Sequence, residues 1–347
     1  MKRLVAASLL CLGAFRFGAP SQTYRVIDLG VYHPPHSSSA TSVNDLGVAV
    51  GTLGPGTLGF AFRWTQARGV EPLPGLAPTW VSSFRWSTAK VNNAGQVCGS
   101  QQPRVGYQSA FRFTPGTGYE RLRPMPGQVV SEALGMNALG EVVGYSRGSS
   151  TVPTLWRPGR GPEFAGDLAF GIPTYANDIN DQGLVAGMLT LHGTTDWRPY
   201  LWTPATGTRV LPVLPGRRYG TALAVNNLGV AAGYCTDFAF GDDGVIWKPD
   251  GTLVYAGDVS RTRATRHFAI NDSGTVAGFA YNNVDVWGSL WTEGTGLQIV
   301  DALLDAEAIL AGWHVTTCWD INSVGWVAAE GRLPDGSIRP IVLIPRD

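Results

Sequence analysis

The sequence is short of charge, of cysteine and of long apolar runs. Only 15% of its 347 residues are charged, and 26 basic residues balance 26 acidic ones. A neutral chain lacks the electrostatic footprint of a nucleic-acid-binding protein, so nucleic acid is excluded as a partner. With 44% apolar residues the chain is not disordered. Beyond residue 19 the cysteines are Cys98, Cys235 and Cys318. Their odd number leaves at least one thiol unpaired, and we expect all three to be small buried hydrophobic residues.

The N-terminus has the pattern of a secretory signal peptide. Met1-Lys2-Arg3 precedes an apolar run that ends at Phe15, shorter than the roughly 20 residues of a membrane helix. We expect cleavage after Ala19, which leaves residues 20–347 as a single domain with no transmembrane segment. The mature protein is then expected outside the cytoplasm, either secreted or in the periplasm or at the cell surface.

Glycine is abundant, with 45 residues, and much of it follows a repeat of about 46 residues. The pattern Val/Ile/Met-Asn-x-x-Gly occurs seven times. A motif with an aromatic residue follows it in most copies, and we expect the tryptophans of that motif to lie in the core between repeats. The repeat asparagines are Asn44, Asn92, Asn137, Asn180, Asn226, Asn271 and Asn322, and the tryptophans are Trp64, Trp156, Trp202, Trp247 and Trp291.

Each copy has the pattern of four short strands, with Asn-x-x-Gly as the turn between the first two. Four strands in 40–50 residues is typical of a β-propeller blade. The sequence therefore predicts an all-β, seven-bladed β-propeller with four antiparallel strands per blade. The seventh copy lacks a fourth strand, and Tyr24–Gly30 resembles the missing one. Pairing this N-terminal strand into the last blade would close the ring and remove an open edge.

The repeat also resembles the extracellular HAF-family repeat. Its copies run roughly Ile-Asn-x-x-Gly-x-Val-Val-Gly, then His-Ala-Phe-Leu-Trp, then Asp-Leu-Gly. Phe60–Trp64 and Ser109–Phe113 are most similar to the second motif, although the family histidine is absent from both, and Leu303–Pro345 resembles the typical ending. The resemblance covers residues 24–345. It implies an exported repeat protein and brings no established activity or catalytic residue.

Three short motifs suggest chemistry, and each has a simpler interpretation. Gly144-Tyr-Ser-Arg-Gly148 fits a hydrolase nucleophile elbow, but its first glycine is a repeat glycine and no helix follows. His33 and His36 are interpreted as part of a surface loop rather than as metal ligands. Asp178–Gly183 faintly resembles a calcium loop, but the equivalent positions of the second copy are Lys90, Asn92 and Ala94, which do not supply the several converging oxygens that calcium needs. No metal and no cofactor are therefore expected.

The links from fourth to first strand and from second to third strand emerge at one end of a propeller, which we call the loop face. In this sequence they are varied, aromatic and rich in arginine, whereas the turns of the opposite end are short and uniform. This asymmetry favours an exported monomeric binding module whose loop face holds a glycan, peptide or protein. The predicted binding residues are Arg85, Trp86, Tyr175, Arg218, Tyr219, Arg266, His267, Trp313 and His314.

Two other functions stay open. An extracytoplasmic glycosidase or lyase would need two carboxylates near the central channel, about 5–9 Å apart. Glu132 is then the first candidate acid, with Glu330 or Asp196 as the second. The protein is alternatively a structural component of the cell surface with no specific ligand.

Overall fold

The computed structural model describes residues 22–30, 38–53, 60–73, 80–81, 90–103, 106–167, 171–237, 241–259 and 263–346. These residues form seven sheets whose innermost strands contact one another in a ring. Every sheet is antiparallel and contains four strand positions. The predicted seven-bladed β-propeller is confirmed.

The strands follow the repeat in chain order, with the first strand of each blade innermost. Blades 1 to 3 contain β2 (Ser39–Val43), β3 (Ala49–Leu53), β4 (Phe60–Thr65), β5 (Gly69–Pro72); β6 (Trp80–Val81) and β7 (Lys90–Val91), both inner, β8 (Val97–Pro103), β9 (Ser109–Thr114), β10 (Gly118–Leu122); and β11 (Gln128–Met136), β12 (Val142–Gly148), β13 (Thr151–Trp156), β14 (Pro162–Phe164). Blades 4 to 6 contain β15 (Gly171–Ile179), β16 (Val185–Leu191), β17 (Trp197–Thr203), β18 (Gly207–Val210); β19 (Tyr219–Val225), β20 (Ala231–Thr236), β21 (Asp242–Trp247), β22 (Leu253–Tyr255); and β23 (Ala264–Ile270), β24 (Val276–Tyr281), β25 (Val286–Thr292), β26 (Gly296–Ile299).

Blade 7 is completed by the N-terminal strand, as the sequence predicts. It contains β27 (His314–Ile321), β28 (Val327–Arg332), β29 (Ile338–Arg346) and β1 (Thr23–Asp28). β1 pairs with β29 from Thr23 opposite Arg346 to Asp28 opposite Ile341. Both chain ends of the described propeller therefore meet in one blade, and the sheet edge is covered.

The only helices of the described residues lie between β26 and β27, where the sequence predicts strands and links alone. They are a 3₁₀ turn at Val300–Leu303 and α1 at Ala306–Leu310. Asp305 caps α1 by accepting a hydrogen bond from the Ala308 N–H at 2.8 Å. Within the described ranges, no helix has the length and apolar character that a membrane crossing requires.

Blades pack through the repeat positions that the sequence predicts to be buried. The five repeat tryptophans are all buried. Cys98, Cys235 and Cys318 are buried and unpaired, as expected of small hydrophobic residues. The repeat glycine of the second strand is required because the inner strand passes too close to it for a side chain. A Cβ on Gly187 would lie 2.1 Å from the Tyr175 carbonyl oxygen of the inner strand. These glycines allow the sheets to crowd around the axis.

The seven repeat asparagines form a closed circle of hydrogen bonds around the axis, which we call the asparagine ring. Each Nδ2 donates to the backbone carbonyl of the next blade's asparagine, at distances of 2.9–3.1 Å. Each Oδ1 accepts backbone N–H groups of its own turn, as Asn180 does from Gln182 and Leu184. One residue type therefore both shapes each turn and ties neighbouring blades together.

Every inner strand described over this segment contains a β-bulge three residues before its ring asparagine. A register shift there leaves one residue without an opposite partner on the second strand. Bulges of this kind redirect side chains and are frequent next to functional sites. The bulge residues are Thr41, Leu134, Asn177, Leu223, Phe268 and Trp319.

Candidate functional site

A cavity of about 320 Å³ occupies the central channel on the loop-face side of the asparagine ring. We call it the channel cavity. Five of the six bulge residues line it, four of them apolar and all four only half-buried. Large apolar side chains that face a cavity rather than a packed core are typical of ligand pockets. The lining residues are Lys90, Leu134, Asn177, Leu223, Tyr234, Arg266, Phe268 and Trp319.

One wall of the channel cavity is aromatic. The rings of Phe268 and Trp319, on the inner strands of blades 6 and 7, stack with centroids 5.0 Å apart and planes inclined by 22°. Phe279 supports Phe268 from the second strand at 5.5 Å. Both cavity rings are thus held in place by aromatic neighbours, which reduces the ordering cost when a ligand contacts them.

The neighbouring wall carries a cation over an aromatic face. The guanidinium carbon of Arg266 lies 4.6 Å from the centre of the Tyr234 ring, within the range of a cation–π interaction. Arg266 Nε donates to Asp242 at 2.6 Å, which fixes the side chain. Guanidinium has five N–H donors, so this ion pair leaves donor capacity for a ligand oxygen.

The channel floor consists of Lys90, Asp178 and Asp320. Lys90 Nζ donates to Asp320 Oδ1 at 2.9 Å, and Asp320 Oδ2 accepts the hydroxyl of Ser42 at 2.6 Å. Asp178 accepts the backbone N–H of Val225 at 3.0 Å. A side chain at Gly135 would collide with Asp178, so the glycine makes room for it.

Burial and neighbouring charges shift the pKa values of the floor residues in opposite directions. Burial raises the pKa of Asp178 to about 6, although Lys90 and two backbone N–H groups favour its ionised form. Burial lowers the pKa of Lys90, but the carboxylates of Asp320 and Asp178 outweigh it and leave that pKa raised. The lysine is therefore charged at neutral pH, and the raised pKa of Asp178 brings the titration of that carboxyl toward neutral pH.

Replacing Asp178 with Asn is expected to stabilise the protein above pH 6 and to change little near pH 4. The folded protein binds the Asp178 proton more tightly than the unfolded chain, because its pKa rises from 3.8 to about 6. The contribution of Asp178 to wild-type stability therefore falls as pH rises from 3.8 to 6, and the variant avoids this fall. The gain is about 1–3 kcal/mol at pH 7, measured by urea unfolding between pH 4 and pH 7.

Asp181→Asn is the matched control, because Asp181 lies exposed three residues further along the same strand end. It removes an exposed carboxylate in place of the buried one, so the difference between the two variants isolates the pH dependence that belongs to Asp178. A constant difference between Asp178→Asn and wild type at all pH values would contradict the assignment of the titration to Asp178.

Around the channel, the loop face brings together residues from separate links. Tyr219 stacks on Trp197 with centroids 4.2 Å apart, and Arg218 lies 5.4 Å from the Tyr219 ring. Arg218 Nε donates to Asp196 at 2.5 Å, so two predicted binding residues and one candidate acid share a cluster between blades 4 and 5. The ion pair neutralises Asp196 and leaves an aromatic surface beside it.

Glu132 belongs to a second cluster, between blades 3 and 4. Its carboxylate accepts hydrogen bonds from the Tyr145 hydroxyl and from Gln108 Nε2. The Tyr145 ring meets Tyr175 edge-on at 5.1 Å. Burial and the neighbouring Glu132 charge raise the pKa of Tyr145, so the phenol remains a donor to the carboxylate.

The three candidate acids lie in three different blades with separate partners. Asp196 precedes β17 of blade 4 and pairs with Arg218, whereas Glu330 lies within β28 of blade 7 and accepts the Thr316 hydroxyl at 3.0 Å. Burial raises the pKa of Glu330. Glu132, as described, is bonded to Tyr145 and Gln108. No observed contact joins any two of the three acids among the described residues.

The remaining predicted binding residues have different surroundings. His267 is only 1% exposed and contacts the Ala256 carbonyl, and burial lowers its pKa to about 4. It lies between blades rather than on the loop face, because β23 extends further than its loop interpretation assumed. Trp313 packs against the core of blade 7. His314 contacts Asp301 at 2.7 Å, which raises its pKa. Arg85 and Trp86 lie outside the described residues.

The motifs that the sequence interpretation set aside have structural roles. Ser146 lies in the middle of β12 and bonds to Thr154, with no nucleophile elbow around it. Asp178 and Asn180 belong to the channel floor and the asparagine ring. The described part of the chain holds no group of three or more His, Cys, Asp or Glu residues suited to a metal ion. His33 and His36 lie outside that part.

Sequence reasoning missed most of the channel cavity. Leu134, Leu223, Phe268 and Trp319 were not singled out, because each looks like an ordinary strand residue in its own copy. A signal did exist: the position three residues before the ring asparagine changes between copies from Thr to Leu, Asn, Phe and Trp, while the asparagine itself never changes. Reading that one position across all copies would have indicated residues that face a shared space.

Comparisons with known proteins bear on the fold alone. No protein-family model matches the chain, and no curated protein matches its sequence. Among solved structures it is similar to a streptogramin B lyase, with 12% identity and a TM-score of 0.53 over 93% of this chain and 98% of that one. A puromycin hydrolase matches with 11% identity and a TM-score of 0.60 over 91% of this chain and 54% of that one. A Mycobacterium tuberculosis puromycin-hydrolyzing peptidase has 13% identity and a TM-score of 0.58, with 92% and 54% coverage.

Proposed function

We propose that this protein is an exported β-propeller binding module and that its ligand enters the channel cavity from the loop face. The observation that carries the proposal is a cavity of about 320 Å³ whose walls are half-buried Leu, Phe and Trp side chains. Covering that apolar surface with a ligand is favourable at roughly 25 cal/mol per Å². The adjoining clusters, which include Tyr219 and Arg218, would supply contacts around the entrance.

The chemistry of the walls favours a ligand that carries a ring and a polar substituent. Phe268 and Trp319 offer flat apolar surface to the face of a sugar ring or an aromatic side chain. Arg266 and Asn177 lie among them as polar groups that orient the ligand. A glycan or an aromatic residue of a peptide or protein meets these requirements.

Export and family membership are part of the same proposal. The basic start and short apolar run of residues 1–19 support cleavage and secretion. The Asn-x-x-Gly and Ala-Phe-Arg-Trp copies support membership of the HAF-family repeat proteins. A binding role outside the cytoplasm agrees with both.

The test is a titration of neutral oligosaccharides and of short peptides containing Phe, Tyr or Trp, followed by calorimetry. A ligand of the channel cavity is expected to bind Trp319→Ala and Arg266→Gln at least about tenfold more weakly than wild type. Tyr255→Ala is the control, because Tyr255 lies on the outer strand of blade 5. Melting temperatures of all variants separate lost binding from lost folding.

Two outcomes would refute the channel site. One is a ligand whose affinity is unaffected by both channel variants. The other is a panel in which no sugar and no aromatic peptide binds the wild-type protein at all. Loss of binding in Arg218→Gln with intact channel variants would place the site at the rim instead.

A further inference from the structure

We propose that the opposite end of the propeller, the turn face, is a second interaction surface. It would dock a protein partner that presents a lysine or arginine side chain from the middle of an apolar patch. This face carries the Asn-x-x-Gly turns and lies across the molecule from the loop face. Binding at the turn face can therefore be tested separately from binding in the channel cavity.

Four large apolar side chains project from the turns of this face. Each is the third residue of an Asn-x-x-Gly turn, and each is more than half exposed, by 73, 64, 65 and 56% in chain order. Of the 11 exposed large hydrophobic residues in the described part of the chain, these four share one repeat position. The shared position distributes them over blades 1, 3, 5 and 7 at one end of the propeller, and large apolar groups exposed on a single face indicate an interaction surface. We call them the turn crown: Leu46, Leu139, Leu228 and Val324.

The turn itself does not require an apolar residue there. Blade 2 has Ala94 and blade 4 has Gln182 at the same position, and the backbone N–H of each donates to the Oδ1 of its ring asparagine, as in the crown turns. The side chains at this position in blades 1, 2 and 4 take no part in the turn, whereas in blade 6 the Ser273 hydroxyl donates to Asn271 Oδ1 at 2.7 Å. The crown residues are therefore not explained by folding.

The turn crown surrounds a polar depression of about 250 Å³ at the mouth of the channel. Asp45, Asp181 and Asp272, which directly follow ring asparagines, line it at the surface, and Asp178 and Asp320 line it nearer the floor. The surface carboxylates are held by amide donors: Asn227 donates to Asp181 and Asp272, for example. Such donors stabilise a carboxylate without cancelling its charge.

Charge decides which partner fits. Five carboxylates line the depression against one ammonium, Lys90, which is already paired with Asp320. Hydrogen bonds from Asn93 and Ser323 outweigh burial and lower the pKa of Asp45, so it is ionised at neutral pH. The depression repels nucleic acid and anionic lipid headgroups. A lysine or arginine would place its charged head there and its methylene stem against the crown.

The test selects random cyclic peptides displayed on phage against the full-length protein. Counter-selection uses the triple variant Leu46→Gln, Leu139→Gln, Leu228→Gln, which copies the residue of blade 4. Peptides that depend on the crown are expected to share a lysine or arginine flanked by apolar residues. Synthesised singly, they should bind the Asp181→Asn, Asp272→Asn double variant at least about tenfold more weakly.

The triple variant should keep the wild-type melting temperature, because its side chains are exposed. The channel variant Trp319→Ala should leave peptide binding intact, which separates this surface from the proposed ligand site. Several results would overturn the proposal: no crown-dependent peptide, enriched peptides without a basic residue, or spermidine alone binding as tightly as the peptides. Crown-dependent capture by lipid vesicles, or crown-dependent dimerisation, would equally replace a basic protein partner with a membrane or a second copy.

Discussion

A chain that begins at residue 31 is expected to lose the closed propeller, whereas a chain that begins at residue 22 should fold. The difference between them is β1, the fourth strand of blade 7. Its six residues pair with β29, and its removal leaves Ile341–Arg346 of that strand as an exposed edge. Circular dichroism, size-exclusion chromatography and thermal unfolding of the two chains measure the effect.

The expected loss is large because β1 contributes to two packing clusters. Tyr24 is buried within blade 7, and its carbonyl accepts the Asp305 N–H at 2.9 Å. Leu29, just beyond β1, is buried with Phe62 and Trp64 of blade 1. Six backbone pairings and two buried side chains contribute on the order of 10 kcal/mol. That is comparable with the 5–15 kcal/mol that stabilises a typical domain.

The comparison has an internal control, because both chains lack residues 1–21. Adding a synthetic peptide of residues 22–30 to the shorter chain should restore part of its ordered structure, as the peptide supplies the missing strand. If the shorter chain were monomeric and melted cooperatively within a few degrees of the longer one, β1 would be dispensable for closure.

Blade number and ring closure could be predicted because they depend on local chemistry that repeats. Asn-x-x-Gly forms the same turn wherever it occurs, so counting it counts the blades. Closure followed from the one copy that lacks a strand and from the resemblance of Tyr24–Gly30 to the missing one. Both inferences compare one copy with another and need no knowledge of contacts between distant residues.

The channel was harder to predict, because a position that varies between copies indicates a shared cavity only once the bulge that redirects its side chain is known. A bulge at Phe268 or Trp319 is a register shift between two strands, and no residue of either strand specifies it alone. His267 is the opposite case, a residue predicted on the loop face that is buried. In the sequence, a histidine next to Arg266 resembles part of a binding loop. Its burial depends on the neighbouring blade, where Gly244 leaves room for the ring.

The sequence predicts only one of the two roles of the ring asparagines. The sequence explains Asn180 as a turn residue, and its Oδ1 does accept the N–H groups of Gln182 and Leu184 at 3.1 and 2.9 Å. Its Nδ2 has a second role, because it donates to the Asn226 carbonyl of the next blade at 2.9 Å. That partner lies 46 residues away and becomes visible only once the ring is closed.

Asn180→Ala is therefore expected to destabilise the protein by about 3 kcal/mol or more. The substitution removes three hydrogen bonds of a buried side chain, and each buried group left without a partner costs about 1–3 kcal/mol. Asn180→Asp should also be strongly destabilising although its carboxylate still accepts both turn N–H groups, because a carboxylate oxygen then faces the Asn226 carbonyl oxygen in place of the amide donor. Urea unfolding at pH 7 measures the three stabilities.

Gln182→Ala is the matched control, because Gln182 occupies the same turn with its side chain exposed. It should change the stability by no more than about 0.5 kcal/mol. Stabilities of both Asn180 variants well below those of wild type and Gln182→Ala would assign the loss to the asparagine side chain rather than to the turn as a whole, and a large loss in Asn180→Asp would show the contribution of the contact with the next blade. Equal stabilities for Asn180→Asp and wild type would mean that the bond between blades contributes nothing. The asparagines would then stabilise only their own turns and not the contacts between neighbouring blades.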